Sequence, residues 1–396
     1  MVELFWLLLP VAACSGWIAG TKNNLNFFKQ NKTQKDFTFN QKYIKGLNLI
    51  LNEQTDKAVD VFIDLFSVDN DTVETHLALG SLFRRRGEVE RAIRIHQNVI
   101  ARPNLGSLQR LNGLLELGCD YLCAGVLDRA ENIFNDILKQ DPQNLSALQY
   151  LLDIYQQQRD WHAAITIALL LQKQRVAKYT KNIAHYYCEL TIISKERGEL
   201  TDALSYNRQA LKYQDNNLRA NLIFAELCLI NNQIKKGLRT YFDIANLHIA
   251  YLDVILPVLI TSYHKFNLLS DADATNYNLI IFIEKLIARV PQILSLKEVI
   301  VLLIEQKGYN YTLDLVFNSA ANMPKLRTIA NLLELVGENG FVDNKTYSRI
   351  KNCIQQIISE QKLYTCNNCG FNCRELLWLC PSCKSWDTIA NIEFID

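Results

Sequence analysis

"HLALGSLFRRRGEVERAIRIHQ", residues 76–97, carries the pattern on which the fold of the whole chain turns. Gly80 and Ala92 stand twelve residues apart, with Leu79 and Phe83 beside the first and Gly87 between them. Two antiparallel helices joined by a tight turn account for this spacing. A small residue on each helix lets the backbones approach closely, and a glycine at the turn accepts a positive φ. The same spacing joins Gly46 to Ala58, Gly118 to Ala130, Leu152 to Ala164, Thr191 to Ala203 and Ala225 to Gly237. The second members, from Ala58 onward, advance by 34, 38, 34, 39 and 34 residues. Gly125 and Gly198 repeat the placement of Gly87, five residues before the small residue of the second helix.

A 34-residue period of helix pairs is that of the tetratricopeptide repeat, interrupted here by two short insertions. Residues 41–245 are expected to form six such repeats. Over 246–360 the signature fades, but "LIIFIEKLIARV" (279–290) and "KEVIVLLIEQ" (297–306) keep apolar faces at helical spacing, so degenerate helical repeats continue the stack. Seven prolines and fifteen glycines in 396 residues are too few for a turn-rich all-β chain. A net charge of +1 supplies no global field for nucleic acid. No phosphate-binding loop, H-E-x-x-H or G-x-S-x-G motif occurs, and His76, His96, His162, His185, His248 and His264 are scattered over different repeats. The chain therefore reads as a non-enzymatic, partner-binding scaffold of stacked repeats. Within "FRRRGEVERAIR" (83–94) the five arginines suit a solvated turn with intrahelical pairs, or else a docking patch for acidic groups.

The two ends differ from this body. Leu4 to Gly20 is uncharged over 17 residues, enough for a membrane-spanning helix, with Trp6 and Trp17 near its ends. Lys22, Lys29, Lys32, Lys35, Lys42 and Lys45 follow it and no Lys or Arg precedes it, so the rule that basic flanks stay inside places the bulk of the chain in the cytoplasm. A cleaved signal peptide would carry its basic residues before the apolar run. At the other end, Cys366, Cys369, Cys380 and Cys383 form two C-x-x-C knuckles with ten residues between them. Two such knuckles brought together by a hairpin supply four thiolates in a tetrahedron, suited to zinc or a rubredoxin-type iron, and leave no open position for a substrate. Zinc is preferred, because nothing beside the ribbon looks built to receive electrons. Gly370 follows the first knuckle. Lys384 holds the equivalent place after the second, a departure that would tighten or distort it. Cys373 is an additional cysteine, read as a strand residue, with substitution for a ligand as the alternative. Trp378 and Trp386 are read as packing within the ribbon or against the last helices.

The expected architecture is all-α: a tetratricopeptide-repeat solenoid with a transmembrane anchor over 1–20, a basic juxtamembrane linker over 21–40, six repeats over 41–245, degenerate helical repeats over 246–360, and a small rubredoxin-like or zinc-ribbon β domain over 361–396. The order of anchor, repeats and ribbon resembles the lipopolysaccharide assembly protein B family of Gram-negative bacteria. "LLLPVAA" (7–13), "DKAVDVFIDL" (56–65), residues 76–97, "IAHYYCEL" (183–190) and "CNNCGF…LLWLCPSCKSWDTI" (366–389) carry the resemblance. It implies an inner-membrane adaptor, facing the cytoplasm, that presents the deacetylase of the lipid A pathway to a membrane AAA+ metalloprotease. It also implies that other lipopolysaccharide assembly proteins gather there, with lipopolysaccharide itself a candidate contact. A membrane-tethered rubredoxin-like electron carrier and a generic tetratricopeptide assembly scaffold are the alternatives.

Overall fold

The computed structural model describes residues 73–174, 179–266, 278–322, 325–337 and 363–392, with isolated helical positions between 44 and 61 and between 352 and 358. The expected anchor, the basic linker and the Gly46–Ala58 pair lie outside the described residues. The chain divides into two compact units, Met1–Arg159 and Asp160–Asp396. In the first, α1 (Val73–Arg85) packs against α2 (Val89–Ile100) and α3 (Ser107–Cys123) against α4 (Leu127–Gln140), with α5 (Leu145–Gln158) on α4. In the second, α6 (Trp161–Lys173) precedes two close pairs, α7 (Thr180–Glu196) with α8 (Leu200–Tyr213) and α9 (Leu218–Ile230) with α10 (Ile234–Leu247). A short 3₁₀ turn, Ile249–Tyr251, leads into α11 (Leu252–Lys265), α12 (Leu279–Arg289), α13 (Lys297–Lys307), α14 (Tyr309–Asn322) and α15 (Leu326–Gly337). The tail adds β1 (Tyr364–Cys366), β2 (Asn372–Cys373) and β3 (Ile389–Asn391), an antiparallel sheet in the order β2–β1–β3.

The small residues sit where two helices touch. A Cβ on Gly118 would come within 2.6 Å of the Phe134 ring, and one on Gly237 within 2.9 Å of the Ala225 carbonyl oxygen. The second case is backbone against side chain with no room to yield, so α9 and α10 pack at the closest approach their chains permit. Ala92, Ala130, Ala203 and Ala225 are fully buried at the partner positions. The turns obey an equally strict rule. Gly87, Gly125 and Gly198 have φ of 86°, 74° and 78°, and where glycine is lacking Arg159 and Asn232 take φ of 58° and 59° at the same offset. Each hairpin thus demands one left-handed residue at that place, and the two non-glycine cases accept a cost of about 1 kcal/mol to supply it.

The arginine-rich turn departs from both sequence expectations at Arg84. Its guanidinium, 16 % exposed, lies 2.7 Å from Glu116 and 2.7 Å from Asp120 on α3. Asp120 in turn meets His96 Nδ1, and both side chains are fully buried. Burial opposes the charges, yet the hydrogen bonds prevail, raising the Arg84 pKa and lowering that of Glu116. This network ties α1, α2 and α3 together. Arg86 and Arg91 fit the solvated-turn expectation, since both pair with Glu88, and Arg91 also lies 3.9 Å over the Phe83 ring.

Helices α9 to α15 share one apolar core that runs from Leu218 to Leu335 and includes Tyr241, Phe242, Leu256, Ile283 and Leu303. Among the described residues no single helix is long and apolar enough to cross a membrane. The bent pair Ile234–Leu247 and Ile249–Lys265, at 116°, passes by length and composition only, and its buried apolar residues, among them Leu238, Tyr241, Leu256 and Leu259, belong to this core. Overpacking the tightest approach tests the pairing. Gly237→Ala is expected to cost about 1–3 kcal/mol in a denaturant melt of the second unit, whereas Asn232→Gly at the neighbouring turn leaves it unchanged or slightly stabilised.

Candidate metal centre

Both cysteine knuckles are built the same way. In the first, the Gly370 amide donates to the Cys366 carbonyl at 2.8 Å; in the second, the Lys384 amide donates to that of Cys380 at 2.9 Å. Gly370 and Lys384 have φ of 73° and 53°, so the lysine adopts the glycine conformation and the second knuckle is not distorted. The backbone amides of Asn368 and Cys369 point at the Cys366 sulfur, and those of Ser382 and Cys383 at that of Cys380. The hydrogen bond from Asn368 Nδ2 to Ser385 Oγ, 3.2 Å, ties one knuckle to the other.

The four sulfurs converge. Cys366 and Cys383 are 3.7 Å apart at Sγ, as are Cys369 and Cys380, and all four atoms lie within 4.8 Å of one another. Tetrahedral zinc with bonds of about 2.3 Å to sulfur spans edges of about 3.8 Å, whereas a disulfide would need about 2.05 Å. The donor set and its spacing therefore fit one four-coordinate soft ion. Their surroundings favour thiolates unevenly. The Thr388 hydroxyl, 3.2 Å from Cys366 Sγ, draws the pKa of that thiol down. Side-chain hydrogen bonds from Asn368 and Ser385 bring Cys383 to about 5, while burial pushes Cys380 up to about 11. Cys373 lies in β2 opposite Tyr364, outside the cluster.

This ribbon rests on the helices of its own unit through two sets of contacts. In one, the Trp386 ring stacks on His185 of α7 at 4.6 Å and 12°, and Asp387 Oδ2 lies 2.7 Å from His185 Nε2. Arg219 at the start of α9, held by Glu189 at 2.8 Å, sits 5.8 Å over Trp386 and 5.9 Å over Trp378. In the other set, Asp253 of α11 accepts from the Tyr364 hydroxyl and, at 2.7 Å, from Asn391 Nδ2. The Tyr251 hydroxyl donates to the Ile389 carbonyl at 3.2 Å. Trp386 thus packs on α7, in the middle of the chain, rather than on the last helices. Nothing in the sequence marked His185, Arg219, Asp253 and Asp387 as partners of one another, although His185 and Asp387 fall in stretches that carry the family resemblance.

His185 is fully buried, and burial is the chief cause that lowers its pKa, with Asp387 opposing and Arg219 and Lys181 adding to the depression. The geometry agrees: Nε2 donates to Asp387, while Nδ1 has no hydrogen-bond partner among the described residues, so protonating it would bury an unpaired N–H. Of the other histidines, His96 is buried, His76 and His248 are half-buried, and His162 and His264 are exposed. His162 lies edge-on to Tyr206, and Trp161 stacks on Tyr186. Ser81, His96 and Asp120 are residue types able to form a nucleophilic triad, but His96 Nε2 faces the Leu77 carbonyl and Ser81 donates to Leu77 and Glu116. That arrangement activates no hydroxyl.

Comparison with known proteins gives a consistent result. Residues 364–391 match the family model described as "Rubredoxin metal binding domain", and residues 75–108 match "Tetratricopeptide repeat". The chain is 31 % identical to "Lipopolysaccharide assembly protein B" of Escherichia coli (strain K12) over 409 aligned residues, covering 100 % of each chain. It is 30 % identical to the protein of that name from Haemophilus influenzae, covering 99 % of each. Among solved structures, "Crystal structure of MamA protein" overlaps 45 % of this chain and 93 % of its own at 16 % identity, with a TM-score of 0.33.

Two outcomes are expected. Cys380→Ser removes one of four donors from a site whose metal binding is coupled to folding; bound metal in purified protein falls from about one ion per chain towards zero, with helical circular dichroism retained. His185, whose pKa is lower folded than unfolded, binds its proton more weakly in the folded state. Its contribution to stability is complete above the ordinary imidazole value of about 6.5 and declines as the pH falls below it. Urea midpoints measured at successive pH values through that range should therefore drop, and more steeply than in His185→Gln.

Proposed function

The chain belongs to the lipopolysaccharide assembly protein B family, and from that premise we propose that it is a non-enzymatic adaptor at the inner membrane that governs lipopolysaccharide synthesis through regulated proteolysis. The client is the deacetylase of the lipid A pathway, and the partner is a membrane AAA+ metalloprotease. The uncharged segment Leu4–Gly20 anchors the chain, and the lysines after it keep the repeats on the cytoplasmic side. Tethering then acts by effective concentration: a client held on the repeats stays in the plane of the protease, without any new contact between the two.

The observation that carries this reading is full-length identity to curated family members, combined with a helical repeat body and a ribbon whose four thiolates would saturate their ion. A saturated ion has no position for substrate and acts through shape. Zinc is the ion we assign to Cys366, Cys369, Cys380 and Cys383, because a fixed docking surface needs no redox change. Other lipopolysaccharide assembly proteins are further partners, recruited by the same repeats.

Depleting the protein in cells is expected to lengthen the half-life of the deacetylase several-fold where the protease is active, and to change nothing where the protease is catalytically dead. An unchanged half-life on depletion overturns the adaptor role. Elemental analysis and a visible spectrum of the purified chain test the metal: a red, reversibly reducible iron form points instead to a tethered electron carrier.

A further inference from the structure

We propose that metal loading of the ribbon and its docking on α7, α9 and α11 are a single coupled equilibrium, transmitted through the Trp386–Asp387 turn. The ribbon has little else to hold it together. Its buried core consists of Leu363, Tyr364, Cys366, Cys380 and Ile389, so two of its five members are themselves thiolate donors. A unit with so small a core depends on external staples, and here there are two: the ion and the helices.

The turn that grips His185 follows the second knuckle and is hydrogen-bonded into the folds of both. On one side, the Cys380 amide donates to the Ser385 carbonyl at 3.0 Å, and the Asp387 amide to that of Trp378 at 2.9 Å. On the other, the Asn367 amide donates to the Thr388 carbonyl at 2.7 Å, and the Thr388 hydroxyl lies 3.2 Å from Cys366 Sγ. Asp387 itself has a φ of 49°, in the left-handed region, and so turns the chain sharply between Trp386 and Thr388. Bringing the knuckles together therefore aims Trp386 and Asp387 at His185, and seating them on His185 holds the knuckles together. The second contact works the same way, since Tyr364 and Asn391 are paired in register beside Cys366 and both end on Asp253. Neither His185 nor Asp253 touches a sulfur, so both are positioning residues. Linkage then works in both directions: whatever factor docking adds to metal affinity, the metal adds to docking. Loss of the ion uncovers the helical face carrying His185, Tyr186, Arg219 and Asp253. This coupling is a property of the chain alone and does not depend on the client or the protease.

The test uses the full-length, zinc-loaded protein and a chromogenic chelator. His185→Ala and Asp253→Ala are each expected to speed zinc transfer about tenfold, the lower end of what outer-shell substitutions cost a metal site. Gly118→Ala, which strains the α3–α4 contact far from the ribbon in sequence, serves as a control for general destabilisation and should stay within about twofold of the parent rate. The reciprocal measurement needs no substitution: stripping zinc from the parent protein should raise deuterium uptake in residues 180–190 and 218–224, the windows that His185→Ala opens with zinc bound. The proposal is overturned if both docking variants release zinc at the parent rate, or if zinc removal leaves uptake in those windows unchanged. A docking variant that proves misfolded by circular dichroism leaves the zinc-stripping experiment to decide.

Discussion

The tight approach of two helices across a small residue is the constraint from which the rest of the structure follows. At Gly237 the neighbouring helix presents a carbonyl oxygen, and at Gly118 an aromatic ring, so neither position has space for a methyl group. Close approach forces a short turn, and a short turn forces one left-handed residue, which Arg159 and Asn232 provide despite the steric penalty. Within each unit the pairs so formed expose further apolar faces that neighbouring helices cover.

Buried polar networks do a second job within each unit. In the first, Arg84, Glu116, Asp120 and His96 link three successive helices; in the second, Glu189, Arg219, His185 and Asp387 link two helices to the ribbon. Apolar contacts between stacked helices tolerate sliding, because one methyl resembles another. A buried polar network does not, since any other register leaves polar groups unpaired in a low dielectric. Both clusters therefore act as register pins, and the second also selects which face of the ribbon meets the helices.

Four cysteine sulfurs placed for one metal ion and seated against the helices suit the adaptor proposed above. The four sulfurs are placed for one closed-shell ion, His96 and His185 are buried between helices, and the Ser81–His96–Asp120 group is spent on backbone and carboxylate contacts. Membership of the lipopolysaccharide assembly protein B family gives this architecture its setting. The geometry adds that the small domain and the repeats are not independent modules, because the ribbon closes its own fold partly on α7 and α11.

Much of this was legible in the chain itself. Spacings such as Gly80–Ala92 and Ala225–Gly237 specify the helix pairs, since packing distance and helical period act over a few turns and leave a periodic trace. The two C-x-x-C knuckles are likewise local, and each has the geometry its spacing requires, even with Lys384 in a position that usually takes glycine. What only the tertiary structure decided is where the ribbon sits and what holds it there. Tyr364 reaches Asp253 across 111 residues and Lys181 reaches Asp387 across 206, separations at which no periodicity survives. A lone histidine, arginine or aspartate in an apolar helix looks the same in sequence whether it is solvated or buried beneath a domain. Its partner is chosen by the shape of the folded surface, and that shape exists only once the repeats have stacked.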